Sequence, residues 1–317
     1  MTYKVIKGAT RKATIALVAC LCLSACDDTS KPPNTELKPI PTQANDSVVN
    51  SVVASEPRLR AAGEGKDYQW GKDHIFVKLS SAETGGILTL IQDNMKPGFN
   101  LSMHFHRVHT EIFYILEGEI EFLTDKASFT AKTGSVVYLP AGTPHAARSS
   151  TGARMLMFYA PGGFDGMLAE IENASWLQRV NPFARARRDE KYDFNKGASV
   201  EPPVSDSPKP LFLAGGKGEI IQIKTGTSTV KLNSVDTDGL ATMTEETLTR
   251  GAERVFSLPG NQVAVLYVLG GEVEFEFADK AQILGAGATV YLPAGVSVKL
   301  TSSTGAKLLS YSTQDVK

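Results

Sequence analysis

The sequence predicts an all-β protein made of two tandem copies of one jelly-roll β-barrel, with a short helix between them. The first observation is an internal repeat: YLPAG at 138–142 returns at 291–295, and SSTGA at 149–153 returns at 302–306, each 153 positions later. The second observation is that both copies contain short β-branched and aromatic runs separated by Gly, Pro, Asp and Thr. Such runs are typical of the strands of a sandwich or barrel.

The composition is that of an ordinary globular protein. The 317 residues suffice for two domains, with 42% hydrophobic and 21% charged residues and a formal net charge of -1. Nucleic-acid binding is not expected, because it requires a basic stripe or a high pI. All three cysteines, Cys20, Cys22 and Cys26, lie at the N-terminus. The predicted barrels therefore lack thiols, which excludes thiolate catalysis and Cys-ligated zinc there.

Residues 1–25 have the features of a signal peptide for export. A basic start is followed by an apolar stretch at 13–23 that is too short to span a bilayer comfortably. The run LSAC at 23–26 resembles the lipobox of bacterial lipoproteins, which implies lipidation of Cys26 as the mature N-terminus. An ordinary signal peptide with a chance cysteine is the alternative. We therefore expect a membrane-anchored lipoprotein that faces the periplasm, with the choice of inner or outer membrane left open.

The rest of the chain divides into four segments. Residues 26–66 are rich in Pro, Ser, Thr and Asn and are predicted to be a disordered tether. The first barrel is assigned to 67–163 and the second to 211–317. Between them, 164–210 holds a helix, predicted from apolar spacing between Phe164 and Trp176 and expected on a barrel exterior, and then a linker. We interpret the linker's basic residues, Arg185, Arg187 and Arg188, as a solvated surface.

Four side chains in the first copy have the spacing of a metal site. His104 and His106 alternate with Phe105, so that on a strand both imidazoles face the barrel interior. Glu111 follows after a short turn, and a Pro-Ala-Gly turn precedes His145. Three imidazoles and one carboxylate suit one divalent transition metal per chain and leave coordination positions open. Fe, Mn, Ni, Cu, Co and Zn all tolerate this set, so the sequence does not distinguish them.

Two further sets of positions help to define this site. In the second copy the four ligand positions hold Ser257, Pro259, Ala264 and Val298. We therefore expect a metal-free second barrel that serves as a packing partner or a small-molecule pocket. His109 lies in the turn between His106 and Glu111, so we expect it at the mouth of the site, next to the ligands as a supporting residue, or exposed, and not among the ligands.

The same residues resemble the two motifs of the cupin superfamily. The pattern G-x5-H-x-H-x4-E-x6-G is present from Gly98 to Gly118, and G-x5-P-x-G-x2-H begins at Gly134. The family's second motif continues with x3-N after this histidine, and here the Asn position holds Ser149. The resemblance implies a bicupin over 67–317. The stretches 84–86 and 158–164 are similar to cupins of the quercetin 2,3-dioxygenase type.

This second resemblance implies a function. It predicts a metal-dependent dioxygenase that opens a flavonol or a similar aromatic or enolic substrate with O2. Glu111 would bind the metal and take the substrate proton, which requires a carboxyl pKa near the working pH. The alternatives are a non-catalytic membrane-tethered cupin that captures a metal or small molecule, and a cupin isomerase acting on a polar substrate. Association into a homodimer is left open.

Overall fold

Antiparallel β-strands make up most of the protein. The computed structural model describes residues 56–71, 73–197, 209–258, 260–277 and 280–314. The predicted signal peptide, the lipidated Cys26 and the tether up to residue 55 lie outside these ranges. Within them, no helix has the length and hydropathy that crossing a membrane would require.

The first barrel and its flanking segments contain eleven of the described strands. Their bounds are β1 Arg58–Arg60, β2 Lys66–Trp70, β3 Asp73–Leu79, β4 Thr89–Met95, β5 Phe99–Phe105, β6 Thr110–Thr124, β7 Ser128–Lys132, β8 Val136–Leu139, β9 His145–Ser149, β10 Ala153–Ala160 and β11 Asn195–Lys196. A 3-10 turn, Ala82–Thr84, precedes β4.

Three helices and then a second set of strands follow in the chain. The helices are α1 Asp165–Asn173, α2 Trp176–Val180 and α3 Pro182–Lys191. The remaining strands are β12 Leu211–Leu213, β13 Glu219–Ile223, β14 Gly226–Leu232, β15 Ala241–Leu248, β16 Ala252–Phe256, β17 Gln262–Phe277, β18 Lys280–Gly285, β19 Thr289–Leu292, β20 Val298–Ser302 and β21 Ala306–Gln314.

One long strand closes each barrel. The first half of β6 pairs with β8 and β10, whereas its second half pairs with β7 and β9. The strand bends at Gly118, where φ is +79° and a Cβ would lie 2.7 Å from the carbonyl oxygen of Gly152. Gly271 holds the same place in β17, with φ +74° and a Cβ position 2.4 Å from the Gly305 oxygen. Glycine is needed there because both the conformation and the close approach exclude a side chain.

Apolar side chains form three clusters. One cluster fills the first barrel and one fills the second, whereas the third lies between the barrels. Alternation along a strand divides the residues: Met157 of β10 faces the interior and Phe158 faces the other barrel. Tyr138 belongs to the cluster between the barrels. Its neighbours Val137 and Leu139 are the interior ones.

The barrels exchange strands at their edges. β1 pairs with β19 of the second barrel, and β12 pairs with β8 of the first. The two pairings are equivalent, because β12 follows β1 by the 153-residue repeat distance. The prediction of a disordered tether through residue 66 is therefore wrong over β1. A three-residue strand that pairs only with a distant segment leaves no local periodic signal.

The segment between the barrels is more structured than predicted. The expected helix is present as α1, and α3 follows inside the predicted linker. α3 has a recognisable start, since the Asn181 side chain caps its first turn and Pro182 is its first residue. The expectation that the helix packs on a barrel exterior is wrong. Met167 and Leu168 of α1 belong to the interior cluster of the first barrel, because α1 closes the open end of that barrel.

Candidate metal centre

Three strand regions bring the four predicted ligands together. His104 is near the end of β5 and His106 follows it, Glu111 is the second residue of β6, and His145 opens β9. The β5–β9 register places His104 directly opposite His145. One donor atom from each side chain lies within 4.8 Å of the others. In the part of the chain that the structure describes, this is the one cluster of at least three such donors.

The cluster is buried. The four residues of the cluster are each only 2–3% exposed. The Glu111 Oε2 atom lies 2.9 Å from His145 Nε2, and its Oε1 atom lies 3.5 Å from His106 Nε2. Donors at these separations can surround a first-row divalent ion, whose bonds to His and carboxylate are about 2.0–2.2 Å long.

Backbone carbonyls set the orientation of the three imidazoles. Nδ1 of His104 lies 2.9 Å from the Ser102 oxygen, and Nδ1 of His145 lies 3.0 Å from the Thr143 oxygen. Nδ1 of His106 lies 2.7 Å from the Asp193 oxygen. A carbonyl can only accept a hydrogen bond, so each Nδ1 donates and each Nε2 atom faces the cluster, where a neutral ring offers its lone pair to a metal.

The orphaned Nε2 of His106 fits a metal ion. This atom is buried and has no hydrogen-bond partner among the described residues. An uncompensated buried acceptor is unfavourable unless something coordinates it. A divalent cation would coordinate it together with the other imidazoles and the carboxylate. The four side chains therefore form a site for one divalent metal ion, as predicted, and their chemistry suits a first-row transition metal.

The electrostatics of the cluster favour the protonation states that a metal needs. Burial, reinforced by His145, lowers the pKa of His104 to about 3. Burial also lowers the pKa of His106. For Glu111, burial acts to raise the carboxyl pKa, but His106, His145 and His104 together hold it well below its usual range. The cluster therefore presents an ionised carboxylate beside imidazoles that are neutral at His104 and His106.

In the absence of a bound ion, the Glu111 pKa lies below the range expected of a general base. A general base was expected to need a carboxyl pKa near the working pH, whereas the histidines displace it downward. Glu111 shifts the pKa of His145 in the opposite direction. Burial acts to lower the His145 pKa, but the charge of Glu111 and its hydrogen bond outweigh burial, so the net pKa is raised. In the absence of an ion, Glu111 and His145 therefore form a hydrogen-bonded ion pair.

Aromatic rings enclose the cluster. Phe194 stacks on His104 with ring centroids 4.4 Å apart, and the edge-on Phe164 ring is 5.5 Å from His106. Tyr159 lies beside them, 6.0 Å from His106, and its hydroxyl donates to Met157 Sδ at 3.8 Å close to the Glu111 charge. Burial and the Glu111 charge raise the Tyr159 pKa, so this phenol keeps its proton. The surroundings of the site are thus apolar apart from a tyrosine hydroxyl.

Sequence reasoning missed the contribution of the segment between the barrels. Phe194 and Asp193 follow α3, far from both motifs in the chain, and yet both contact the histidines. The left-handed conformation of Asp193, with φ 58°, turns the chain there. No periodicity or motif spacing pointed to these residues. An Asp-Phe-Asn run after a basic stretch carries no recognised signal.

His109 is not among the clustered donors. Its ring is 6.0 Å from that of His106, and its Nδ1 donates to the Pro161 oxygen at 2.8 Å. The residue is buried and not exposed, and its ring contacts the loop that precedes α1 at Pro161. His109 therefore acts as a neighbour that supports the site.

The second barrel has lost this chemistry at the equivalent positions. Ala264 and Val298 replace Glu111 and His145 and are buried in the apolar cluster that fills the barrel. Ser257 is exposed, and Pro259 lies outside the described residues. The second barrel keeps the same strands, but apolar side chains occupy the interior positions that hold Glu111 and His145 in the first barrel. The interior of the second barrel therefore has the composition of a packing core.

Comparison with known proteins supports the fold and the site. Residues 93–159, which contain all four clustered side chains, match the cupin domain family. Quercetin 2,3-dioxygenase of Bacillus subtilis (strain 168) is 25% identical over 187 residues, which are 59% of this chain and 55% of that enzyme. The chain thus spans about half the length of this curated relative.

Solved structures of Bacillus subtilis oxalate decarboxylase share the fold. One, which describes the Mn(II) centres of that enzyme, superposes with a TM-score of 0.58 and 18% identity over 82% of this chain and 78% of the other. Another, determined at pH 4.6, gives a TM-score of 0.58 and 18% identity over 81% and 76%. The first barrel contains the segment that matches the cupin domain family, and the whole chain shares the two-barrel jelly-roll fold that the sequence predicts.

Proposed function

We propose that this protein is a metal-dependent dioxygenase of the quercetinase-like cupin class. It would open a flavonol, or a similar aromatic or enolic substrate, with O2. The observation that carries the proposal is the buried cluster of three imidazoles and one carboxylate in an aromatic enclosure. Four protein ligands leave coordination positions free on a five- or six-coordinate ion. The similarity to quercetin 2,3-dioxygenase supports the same class.

The residues around the cluster have defined tasks in this proposal. A bound redox-active metal would supply Lewis acidity to a substrate hydroxyl and a route for electron transfer to O2. Glu111 is ionised and can accept the hydroxyl proton. Tyr159 lies near the Glu111 carboxylate and keeps its own proton, because burial and the Glu111 charge raise its pKa. Phe164 and Phe194 exclude water and offer ring faces to an aromatic substrate.

The direct test is turnover by the full chain loaded separately with Fe, Mn, Ni, Cu or Co. O2 uptake and CO release would be followed with a panel of flavonols. The proposal expects stoichiometric O2 uptake with at least one metal. If no metal supports uptake with any flavonol, the dioxygenase assignment is wrong.

The role of Glu111 has its own test. Glu111→Gln keeps an oxygen ligand but cannot accept a proton, so we expect turnover to fall about 10²–10⁴-fold at equal metal content. Glu119→Gln, an exposed change on the same strand, is the matched control and should leave turnover unchanged. Metal content measured on each variant separates lost binding from lost chemistry. Full turnover by metal-loaded Glu111→Gln would exclude the base role.

A second candidate function is favoured by one observation. Arg188 of α3 is buried and lines a groove beside Phe194. An arginine there favours a polar, anionic substrate, as for the isomerase alternative or for a cupin that binds its ligand without chemistry. Product analysis with organic acids under anaerobic conditions distinguishes these outcomes, because isomerisation needs no O2 and simple binding gives no product.

We further propose that the chain is exported and anchored to a membrane through lipid on Cys26. The basic start, the short apolar stretch and the LSAC run at 23–26 support this. The full chain should label with a radioactive fatty acid in a bacterial host and fractionate with membranes. Cys26→Ala should lose both properties. An unlabelled wild-type chain, released after cleavage, would favour the ordinary signal peptide.

A further inference from the structure

Arg188 differs from the other arginines of α3. Arg185 and Arg187 are exposed, whereas Arg188 is only 9% exposed. Arg185 and Arg188 are three residues apart and share a helix face, and Arg187 projects to another side. The sequence interpretation of all three as a solvated surface is therefore wrong for Arg188.

The buried guanidinium of Arg188 has no partner among the described residues. Its Nε atom is buried without a hydrogen-bond acceptor. Its charge acts on Glu170, whose carboxyl pKa it helps to lower, without a direct ion pair. The carboxylates nearby are already engaged: Asp189 pairs with Lys196 at 2.6 Å, and Glu170 pairs with Lys191 at 2.8 Å. Glu172 pairs with Lys66 at 3.1 Å. An arginine cannot shed its proton to escape burial, so an unpaired one is costly unless an anion binds there.

The groove that Arg188 lines has the charge and shape for such an anion. Its volume is about 440 Å³. Arg179, Arg185 and Lys196 also line it, and Asp189 is its one acidic residue. Arg179 is bonded to two backbone carbonyls, Ala174 and Glu172, which do not neutralise its charge. Cations thus exceed anions four to one on the groove wall.

Most of the remaining wall is apolar, with Gln69, Asn100 and Ser102 as its polar side chains, and it reaches the metal centre. Trp70 and Phe194, whose ring centroids are 6.5 Å apart, line the groove together with Met103 and Met167. Phe194 also stacks on His104, so one ring separates the groove from the metal ligands. A small inorganic anion would leave this apolar wall in contact with water. An organic acid would satisfy Arg188 with its carboxylate and the aromatic wall with its body.

We propose that this groove is a binding site for a small organic carboxylate with an apolar or aromatic body, held by Arg188. The carboxylate pairs with the guanidinium, and the body lies against Trp70 and Phe194. Docking of a substrate next to the metal would require an aromatic or enolic substrate that also carries a carboxylate, and that role rests on the proposed function; binding itself does not. The two can therefore fail separately.

The test uses calorimetric titration of the full chain, both metal-free and metal-loaded, with benzoate, benzamide, acetate and inorganic phosphate. We expect benzoate to bind more tightly than the other three, because only benzoate combines the charge with an aromatic ring. Benzamide binding as tightly as benzoate would exclude recognition of charge. Phosphate binding more tightly would make the groove an inorganic anion site. Absence of saturable benzoate binding up to about 10 mM would overturn the proposal.

Variants assign the binding to Arg188. Arg188→Gln should weaken benzoate binding by about tenfold or more, because a charge-assisted pair is lost. Arg188→Lys keeps the charge without the bidentate geometry and should retain part of the affinity. Arg187→Gln, exposed on the same helix, is the matched control and should bind as wild type. Wild-type affinity in Arg188→Gln would overturn the assignment.

Thermal unfolding without ligand separates a binding arginine from a structural one. Arg188→Gln removes a buried charge that has no protein partner, so the unfolding midpoint should stay the same or rise. Benzoate should raise the midpoint of the wild type and of Arg187→Gln but not of Arg188→Gln. A lower midpoint for Arg188→Gln, with benzoate stabilising it as much as the wild type, would assign Arg188 to structure and overturn the proposal.

Discussion

His106 owes its orientation to Asp193, a residue 87 positions later in the chain. The Asp193 carbonyl accepts from His106 Nδ1, and its carboxylate accepts from the backbone N–H groups of Arg107, Val108 and His109 at 2.7–3.2 Å. One aspartate thus holds both the imidazole and the turn that follows it. Groups that orient metal ligands in this way affect affinity nearly as much as the ligands themselves.

Asp193→Ala removes the carboxylate and places a β-carbon at positive φ without a compensating side-chain bond. We expect metal affinity to fall about 10–100-fold. Competition with a chromophoric chelator measures it. Asp193→Asn tolerates the left-handed conformation and keeps one acceptor, so its loss should be smaller. Affinity of Asp193→Ala within twofold of the wild type would show that the turn is held by other contacts.

Asp93 is a second residue whose environment sets its chemistry. It lies on β4 opposite Ile75 and Met155, inside the first barrel, and is 3% exposed. Its Oδ1 atom has no hydrogen-bond partner among the described residues. Burial, reinforced by Asp73, raises the pKa of Asp93 to about 8. The folded protein therefore keeps a proton here that the unfolded chain loses near pH 4.

This raised pKa predicts a pH-dependent stability. Between about pH 4 and pH 8 the folded state binds the extra proton, so the free energy of unfolding should fall as the pH rises. Asp93→Asn removes that dependence. It should match the wild type near pH 4 and be more stable by on the order of a few kcal/mol at pH 8. Urea unfolding at both pH values checks this; an equal difference at the two values would contradict it.

At the scale of elements, the connection from β1 to β2 carries the strand exchange. β1 can reach β19 because residues 61–64 cross from one barrel to the other. Lys78, only 1% exposed, donates from Nζ to the carbonyls of Ala61, Ala62 and Glu64 at 2.7–3.2 Å. Lys231, its repeat equivalent, donates to the Lys217 carbonyl at 2.9 Å. A buried lysine therefore anchors each crossing segment.

Lys78→Met keeps the aliphatic stem and removes the donor from three carbonyls. We expect the free energy of unfolding to fall by about 2–4 kcal/mol, since buried acceptors lose their partner. Lys231→Met is the matched variant in the second copy and should cost less, because one carbonyl is affected. Urea unfolding of the two variants compares them directly. An equal or smaller cost for Lys78→Met would mean that water replaces the ammonium group.

At the scale of the whole molecule, the two barrels share an apolar cluster. Phe158 of the first barrel and Tyr311 of the second have ring centroids 4.4 Å apart. The Tyr267 hydroxyl donates to Gln92 Oε1 at 3.0 Å, and the Tyr114 hydroxyl donates to Glu245. These contacts join faces that would otherwise expose large hydrophobic residues. We therefore expect the barrels to unfold together.

Metal removal tests this coupling. A metal at 100 times its Kd adds about 2.7 kcal/mol to stability, which corresponds to roughly 5–10 °C in Tm for a chain of this size. Chelation should lower the Tm by that amount and preserve a single transition, measured by calorimetry. Two transitions, of which only one moves with metal, would show that the barrels unfold independently.

The local sequence determined the barrel pattern, the repeat and the identity of the metal donors. Strand alternation dictates that His104 and His106 share a face, and the glycine and proline spacing frames Glu111 and His145. The repeat shows in turn which copy keeps these donors. Each of these properties depends on neighbours within a few residues or on identity at a fixed distance. Both can be recognised without coordinates.

Only the tertiary structure decided the contacts between distant segments. Phe194 on His104, Asp193 under His106, the burial of Arg188 and the exchange of β1 and β12 all join residues far apart in the chain. Such contacts depend on where α3 and the crossing segments come to rest on the barrel. That position depends on packing between segments that are far apart in the chain, and no local pattern encodes it.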